Sequence, residues 1–267
     1  MTVMGERLKG KIAFVMGAGC IGEGWGNGKA TAVLFAREGA TVICVDRDLA
    51  SAGRTAAIIS EEGGKAEALR ADITSAADID AAVADVIARH GRIDILQNNV
   101  GIAEPGGPEA IDEASWDRVM DVNLKGFFLT CKRVLPEMVR QGRGAIVNVS
   151  SVASITTIDV PMVSYYASKA AVNHFTCAVA VEYAPKGIRC NAVLPGLMNT
   201  PMIVEPYRHV YASVDDMISK RDAMVPMGKM GTAWDVAHAS LFLASDEATY
   251  ISGVLLPVDG ALTCRTR

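Results

Sequence analysis

The sequence predicts an α/β chain: a three-layer, doubly wound parallel sheet of about seven strands with helices on both faces. Two observations predict it. Short Val- and Ile-rich runs without polar alternation recur along the chain, and most are followed by a longer stretch with helical periodicity. A third observation concerns domain organisation. The alternation runs the length of the 267 residues with no linker, repeat or low-complexity tract, which predicts one domain over 1–267.

Taken in order, residues 11–16 read as a buried strand and 27–37 as a helix that Glu38-Gly39 ends. Residues 41–45 form a second strand, and helix 50–62 stops at Gly63-Gly64. A weaker third strand (66–70), a helix (75–90) and a fourth strand (93–97) follow. Ser115 reads as a helix N-cap. Trp116, Val119, Met120, Phe127, Cys131, Val134, Leu135 and Met138 then recur at three- and four-residue steps or their multiples, the stripe of one long packed helix. Strand 145–149, helix 164–184, strand 188–194, helix 234–244 and strand 254–258 complete the series. Residues 195–231 have no clean period, and a long irregular segment in a compact domain reads as a substrate-binding lid.

Composition narrows the function. Half the residues are hydrophobic and the net charge is −4, so nucleic acid and anionic membrane surfaces are not expected partners. No apolar run reaches the roughly 18 residues of a membrane span, and residues 1–10 lack a signal-peptide pattern, so a cytoplasmic protein is expected. The six cysteines and four histidines have no metal-ligand spacing. Neither disulfides nor a metal site are expected.

Between the first strand and the first helix stands Gly17-Ala18-Gly19-Cys20-Ile21-Gly22-Glu23-Gly24-Trp25-Gly26-Asn27-Gly28. Glycines let the backbone approach an anion, and the free N–H groups at the helix start favour a pyrophosphate. That context turns a weak glycine pattern into a dinucleotide-binding fingerprint. Asp46 ends the second strand, where a carboxylate accepts hydrogen bonds from the ribose hydroxyls of NAD and repels the extra phosphate of NADP. Arg47 beside it pulls the other way.

Tyr165 and Lys169 lie four apart on one helical face. A nearby ammonium favours the phenolate, which makes tyrosine a usable acid/base near neutrality. Ser150 and Ser151 end the fifth strand and Asn98-Asn99-Val100-Gly101 the fourth, on the rim where α/β sheets bind ligands. Asn123 lies inside an apolar helix and needs a partner to offset its burial.

These residues resemble the short-chain dehydrogenase/reductase family, of the single-domain Rossmann-fold kind with about 250 residues. The resemblance covers nearly the whole chain: the Gly-rich loop, Asp72-Ile73, Asn98-Asn99-Val100-Gly101, Asn123, Ser150-Ser151, Tyr165-Tyr166-Ala167-Ser168-Lys169, the run 188–196, Thr200-Pro201 and the run 256–260. It implies that Tyr165 is the acid/base, that Lys169 lowers its pKa and holds the nicotinamide ribose, and that Ser151 orients the substrate oxygen. Asn123 would tie a water chain to Lys169. Asp72 and the Ile73 backbone would contact the adenine, Asn99 the adenosine-side ribose region, and Met198 and Thr200 the nicotinamide carboxamide. Gly17, Gly26, Asn27 and Gly28 would carry the pyrophosphate. Tyr166 is a rival base but breaks the family's spacing.

The chain departs from the family's pattern in places. About five residues are inserted between Gly17 and Gly26-Asn27-Gly28, Val100 and Ser154 replace an alanine and a glycine, and one extra residue lies between Ser151 and Tyr165. The expected reaction is NAD-dependent interconversion of a secondary alcohol and a ketone. The alternatives are an NADPH-dependent reductase of 3-oxoacyl thioesters on acyl-carrier protein and a non-catalytic nicotinamide sensor. Val152, Pro161, Met162, Leu197 and Met202 are the expected substrate wall, with Glu205, Arg208 and His209 either reaching in or facing water. The helices carrying Phe127-Phe128 and His174-Phe175 are apolar on more than one face. Together with the resemblance, that predicts a homotetramer.

Overall fold

The computed structural model describes residues 5–157, 160–203 and 212–265. Seven strands form one sheet: β1 (Ile12–Met16), β2 (Thr41–Asp46), β3 (Lys65–Arg70), β4 (Ile95–Asn98), β5 (Gly144–Val149), β6 (Ile188–Pro195) and β7 (Leu255–Val258). All pairings are parallel, in the order β3-β2-β1-β4-β5-β6-β7. Chain order reverses between β1 and β4, and the carboxyl ends of those strands open a crevice.

Strand β1 shows why the runs are continuously apolar. Ala13 and Val15 pack into one core with residues of α1 (Asn27–Arg37), α2 (Leu49–Glu61) and a late helix at Ala233–Ala244. Ile12, Phe14 and Met16 point the other way, toward α3 (Ala76–His90), α5 (Gly126–Gln141) and α6 (Val163–Tyr183). Both faces are covered, so no position tolerates a polar alternation.

Three expectations are corrected. The expected single long helix after Ser115 is two helices. Helix α4 (Glu113–Met120) starts three residues earlier than expected, because the Asp112 carboxylate accepts from the Ser115 N–H at 2.8 Å and takes the cap. Five residues of π-helix, Asp121–Lys125, then join α4 to α5. The segment at 195–231 is not wholly irregular: it contains α7 (Val214–Met224), capped by Ser213, whose hydroxyl accepts from the Asp216 N–H. Helix α8 (Ala233–Ala244) follows, opened by a Thr232–Asp235 capping box. No helix among the described residues is long and apolar enough to cross a membrane.

Candidate active site

The glycine loop begins where β1 stops. Gly17 has φ +77, and a Cβ there would lie 2.9 Å from Val100 Cγ2. A Cβ on Gly28 would lie 1.9 Å from the Gly17 carbonyl oxygen and 2.5 Å from Asn99 Nδ2, so the first turn of α1 presses directly on the strand end. Asn99 Nδ2 donates to that same carbonyl at 3.2 Å, tying β4 to the loop. Helix α1 starts at Asn27 with Gly26 as its cap and no side chain bonded to its free N–H groups. A pyrophosphate fits this cradle: side chains are missing where the backbone must approach, and the helix start has no side-chain cap where charge must be met.

Asp46 faces the loop from β2. Its Oδ2 accepts from the Gly19 N–H at 3.1 Å, and its Oδ1 accepts from Asp48 N–H at 3.1 Å. A Cβ on Gly19 would stand 2.7 Å from that Oδ2, so Gly19 belongs to the site although the spacing of the glycines did not single it out. Arg47 is exposed. Asp72 forms a turn in which its Oδ1 accepts from both the N–H and the hydroxyl of Thr74, while Ile73 is buried against Gly126.

Across the crevice, α6 carries Tyr165 and Lys169. Lys169 is buried, and its Nζ donates to the Val149 carbonyl at 2.9 Å. The ammonium lies 5.8 Å from the Tyr165 ring centroid and 5.5 Å from that of Phe127. Burial pulls its pKa from 10.5 down to about 7. Gly101 makes the room: a Cβ there would lie 3.2 Å from Lys169 Nζ. The Tyr166 hydroxyl, the rival base, donates to the Val160 carbonyl at 2.6 Å and so serves the wall.

Ser151 follows β5 and caps the short turn Val152–Ser154. Its Oγ accepts from the Ala153 N–H at 3.1 Å, which leaves the hydroxyl hydrogen to donate. Asn123 sits in the π-helical turn, fully buried. Its Oδ1 accepts from Ile102 N–H at 2.8 Å, and its Nδ2 donates to Ile102 O at 2.9 Å and Ser168 Oγ at 3.0 Å. That answers the demand its burial raised, and it locks the loop after β4 to α6.

Beyond β6, Met198 pairs with Gly231 in an isolated parallel bridge and Thr200 is buried. The expected substrate wall is partly redistributed. Leu197 packs with Val225 and Met230, and Val152 with Ala192 and Leu194, because each has an apolar cluster of its own at hand. Met162 is buried and bridges to Gly106, whereas Met202 is exposed. Glu205, Arg208 and His209 lie outside the described residues. Among the described residues no cluster suited to a metal occurs, and the six cysteines are free thiols.

A family model described as enoyl-(acyl carrier protein) reductase matches residues 22–263. The chain belongs to the short-chain dehydrogenase/reductase family. As such it is a nicotinamide-dependent oxidoreductase acting on CH–OH groups. It is 39% identical to 2,5-dichloro-2,5-cyclohexadiene-1,4-diol dehydrogenase of Sphingobium indicum, over 96% of this chain and 98% of that one. It is likewise 39% identical to the 3-oxoacyl-[acyl-carrier-protein] reductase of Thermotoga maritima, over 96% and 99%. A short-chain dehydrogenase/reductase structure from Burkholderia xenovorans is 49% identical, covers 98% of this chain and 100% of its own, and superposes with a TM-score of 0.95.

Proposed function

We propose that the protein is an NAD-dependent dehydrogenase that interconverts a secondary alcohol and a ketone, with residues 195–231 over the substrate as part of one 1–267 domain. The observation that carries this reading is Lys169. A buried ammonium is fixed on Val149 O, one helical turn from Tyr165 and at the strand end that leads into Ser151. Such a charge has a use only if something beside it becomes negative.

When bound, a nicotinamide would supply the acceptor or donor of hydride at the carbinol carbon. The protein's residues do the rest. Tyr165 takes the proton from the substrate oxygen in oxidation and gives it back in reduction. Ser151 donates its hydroxyl hydrogen to that oxygen. Lys169 favours the phenolate and holds the nicotinamide ribose, and Asn123 anchors a water chain to it. Gly17, Gly26, Asn27 and Gly28 carry the pyrophosphate, Asp46 and Asn99 the adenosine side, Asp72 and Ile73 the adenine, and Met198 and Thr200 the carboxamide.

Asp46 favours NAD, since its carboxylate meets the position of the extra NADP phosphate. The Thermotoga relative supports a second reading, reduction of 3-oxoacyl thioesters with NADPH. We further propose a cytoplasmic homotetramer. Phe128 on α5 and Val181 on α6 are exposed, 46% and 79%, and supply apolar surface for it.

The test is NADH and NADPH absorbance with a panel of secondary alcohols, ketones and a 3-oxoacyl thioester, together with mass in solution. Turnover of alcohols with NAD supports the first reading. A preference for NADPH and the thioester replaces it with the second, and NADH binding without turnover makes the protein a sensor.

A further inference from the structure

The residues inserted into the glycine loop form a closed excursion. A Cβ on Gly26 would lie 3.3 Å from Cys20 Sγ, so the stretch 21–25 leaves and returns at one place. Four neighbouring residues fix the excursion. At its base the Cys20 N–H donates to Ser51 Oγ at 2.9 Å, and that hydroxyl donates back to Cys20 O at 3.2 Å, joining it to α2. On its return limb the Trp25 ring packs on Trp234 of α8, centroids 4.7 Å apart. Lys29 lies 4.7 Å above the Trp25 ring and donates to Gly24 O at 3.0 Å. At its tip a Cβ on Gly24 would stand 3.4 Å from Pro201 Cγ, so Gly24 and Pro201 are close neighbours, and Pro201 directly follows Thr200.

The excursion therefore spans from α2 to the segment after β6, and its two ends are parts of the pyrophosphate cradle. We propose that residues 20–25 are a strap that retains the dinucleotide, with Trp25 as the positioning residue that holds Gly24 against Pro201. The inference rests on the dinucleotide reading above. It adds that the nucleotide leaves only when the Gly24–Pro201 contact opens, so release of reduced cofactor is slow. A tip of exposed residues, with Ile21 70% exposed, has no core to serve, which fits a strap better than a packing element.

The experiment is stopped-flow displacement of NADH by excess NAD, read by NADH fluorescence, with association measured separately and folding checked by circular dichroism. Trp25→Ala and a deletion of residues 21–24 should each release NADH about ten-fold faster with association nearly unchanged, because the strap acts after docking. Trp25→Phe keeps a ring against Trp234 and should stay within about two-fold of the parent. Pro201→Ala leaves the loop and the tryptophan pair intact and should quicken release by about three-fold, so it decides the matter if the shortened loop fails to fold. Parental release rates in the folded variants overturn the strap alone. A parent chain that takes up no NADH overturns the strap and the dinucleotide reading together.

Discussion

Lys169 Nζ donates to the carbonyl oxygen of Val149 at 2.9 Å, so a buried cation rests on a neutral acceptor at the end of β5. A carbonyl returns less than a carboxylate would, and burial pulls the ammonium down to about 7. The site stores a charge at a cost to the fold.

That cost has a pH signature. The folded chain releases this proton near pH 7, whereas an unfolded lysine holds it to 10.5. Between those values the unfolded state binds more protons, so the lysine's contribution to stability rises with pH by at most about 1.4 kcal/mol per pH unit. The penalty is full below pH 7 and gone above 10.5. Thermal melts of cofactor-free parent and Lys169→Met between pH 6 and 10 check it. The variant is expected to be the more stable below neutrality, with the advantage shrinking as pH rises. Parallel curves would remove the buried charge from the argument.

The two adjacent tyrosines should behave oppositely. Tyr165→Phe removes the proposed acid/base and should lower kcat by about 10³, within the usual range for general acid–base catalysis, while NADH affinity changes little. Tyr166→Phe removes the bond to Val160 O and should stay within about three-fold of the parent in kcat, its effect falling on KM through the wall. Full activity in Tyr165→Phe would refute the assignment.

Much of this was legible in the sequence, for a physical reason. Strands buried on both faces are largely apolar, so β1 and β2 announce themselves, and the glycine loop is readable from where it falls between β1 and α1. Helix α7 was not legible, because only Met217 and Arg221 of its residues are buried and they make no stripe. The π-helical turn escaped for the opposite reason. Val119 and Phe127 remain buried on either side of it, and apolar spacing alone does not register the change of pitch between them. Gly19, Gly101 and the Val149 carbonyl act through backbone, which side-chain chemistry does not advertise.

Cofactor choice should follow Asp46. Replacing Asp46 with Ser removes the like charge facing the extra phosphate of NADP and leaves a hydroxyl oxygen that can accept from the Gly19 N–H. Relief of one like-charge contact is expected to raise kcat/KM for NADPH relative to NADH by about 10- to 100-fold. Steady-state rates with both cofactors measure it. An unchanged ratio would place cofactor choice elsewhere, with the exposed Arg47 the first candidate.

Two glycines in neighbouring helices should respond to the same substitution with opposite sign. In α1, Gly28→Ala drives a methyl to 1.9 Å from Gly17 O, a backbone atom held in turn by Asn99. The strand end and the helix must part, which should cost about 1–3 kcal/mol, as overpacking does, and should weaken NADH binding because the same movement spreads the cradle. In α2, a Cβ on Gly53 meets nothing within 4 Å, and the residue lies in the helix interior. Gly53→Ala should therefore stabilise by about 0.5–1 kcal/mol, through the lower entropy of the unfolded chain and alanine's better helix propensity. Denaturant melts and NADH titrations of both variants provide the comparison. If Gly28→Ala matched the parent in both, the close approach of α1 to β1 would not be what shapes the cradle.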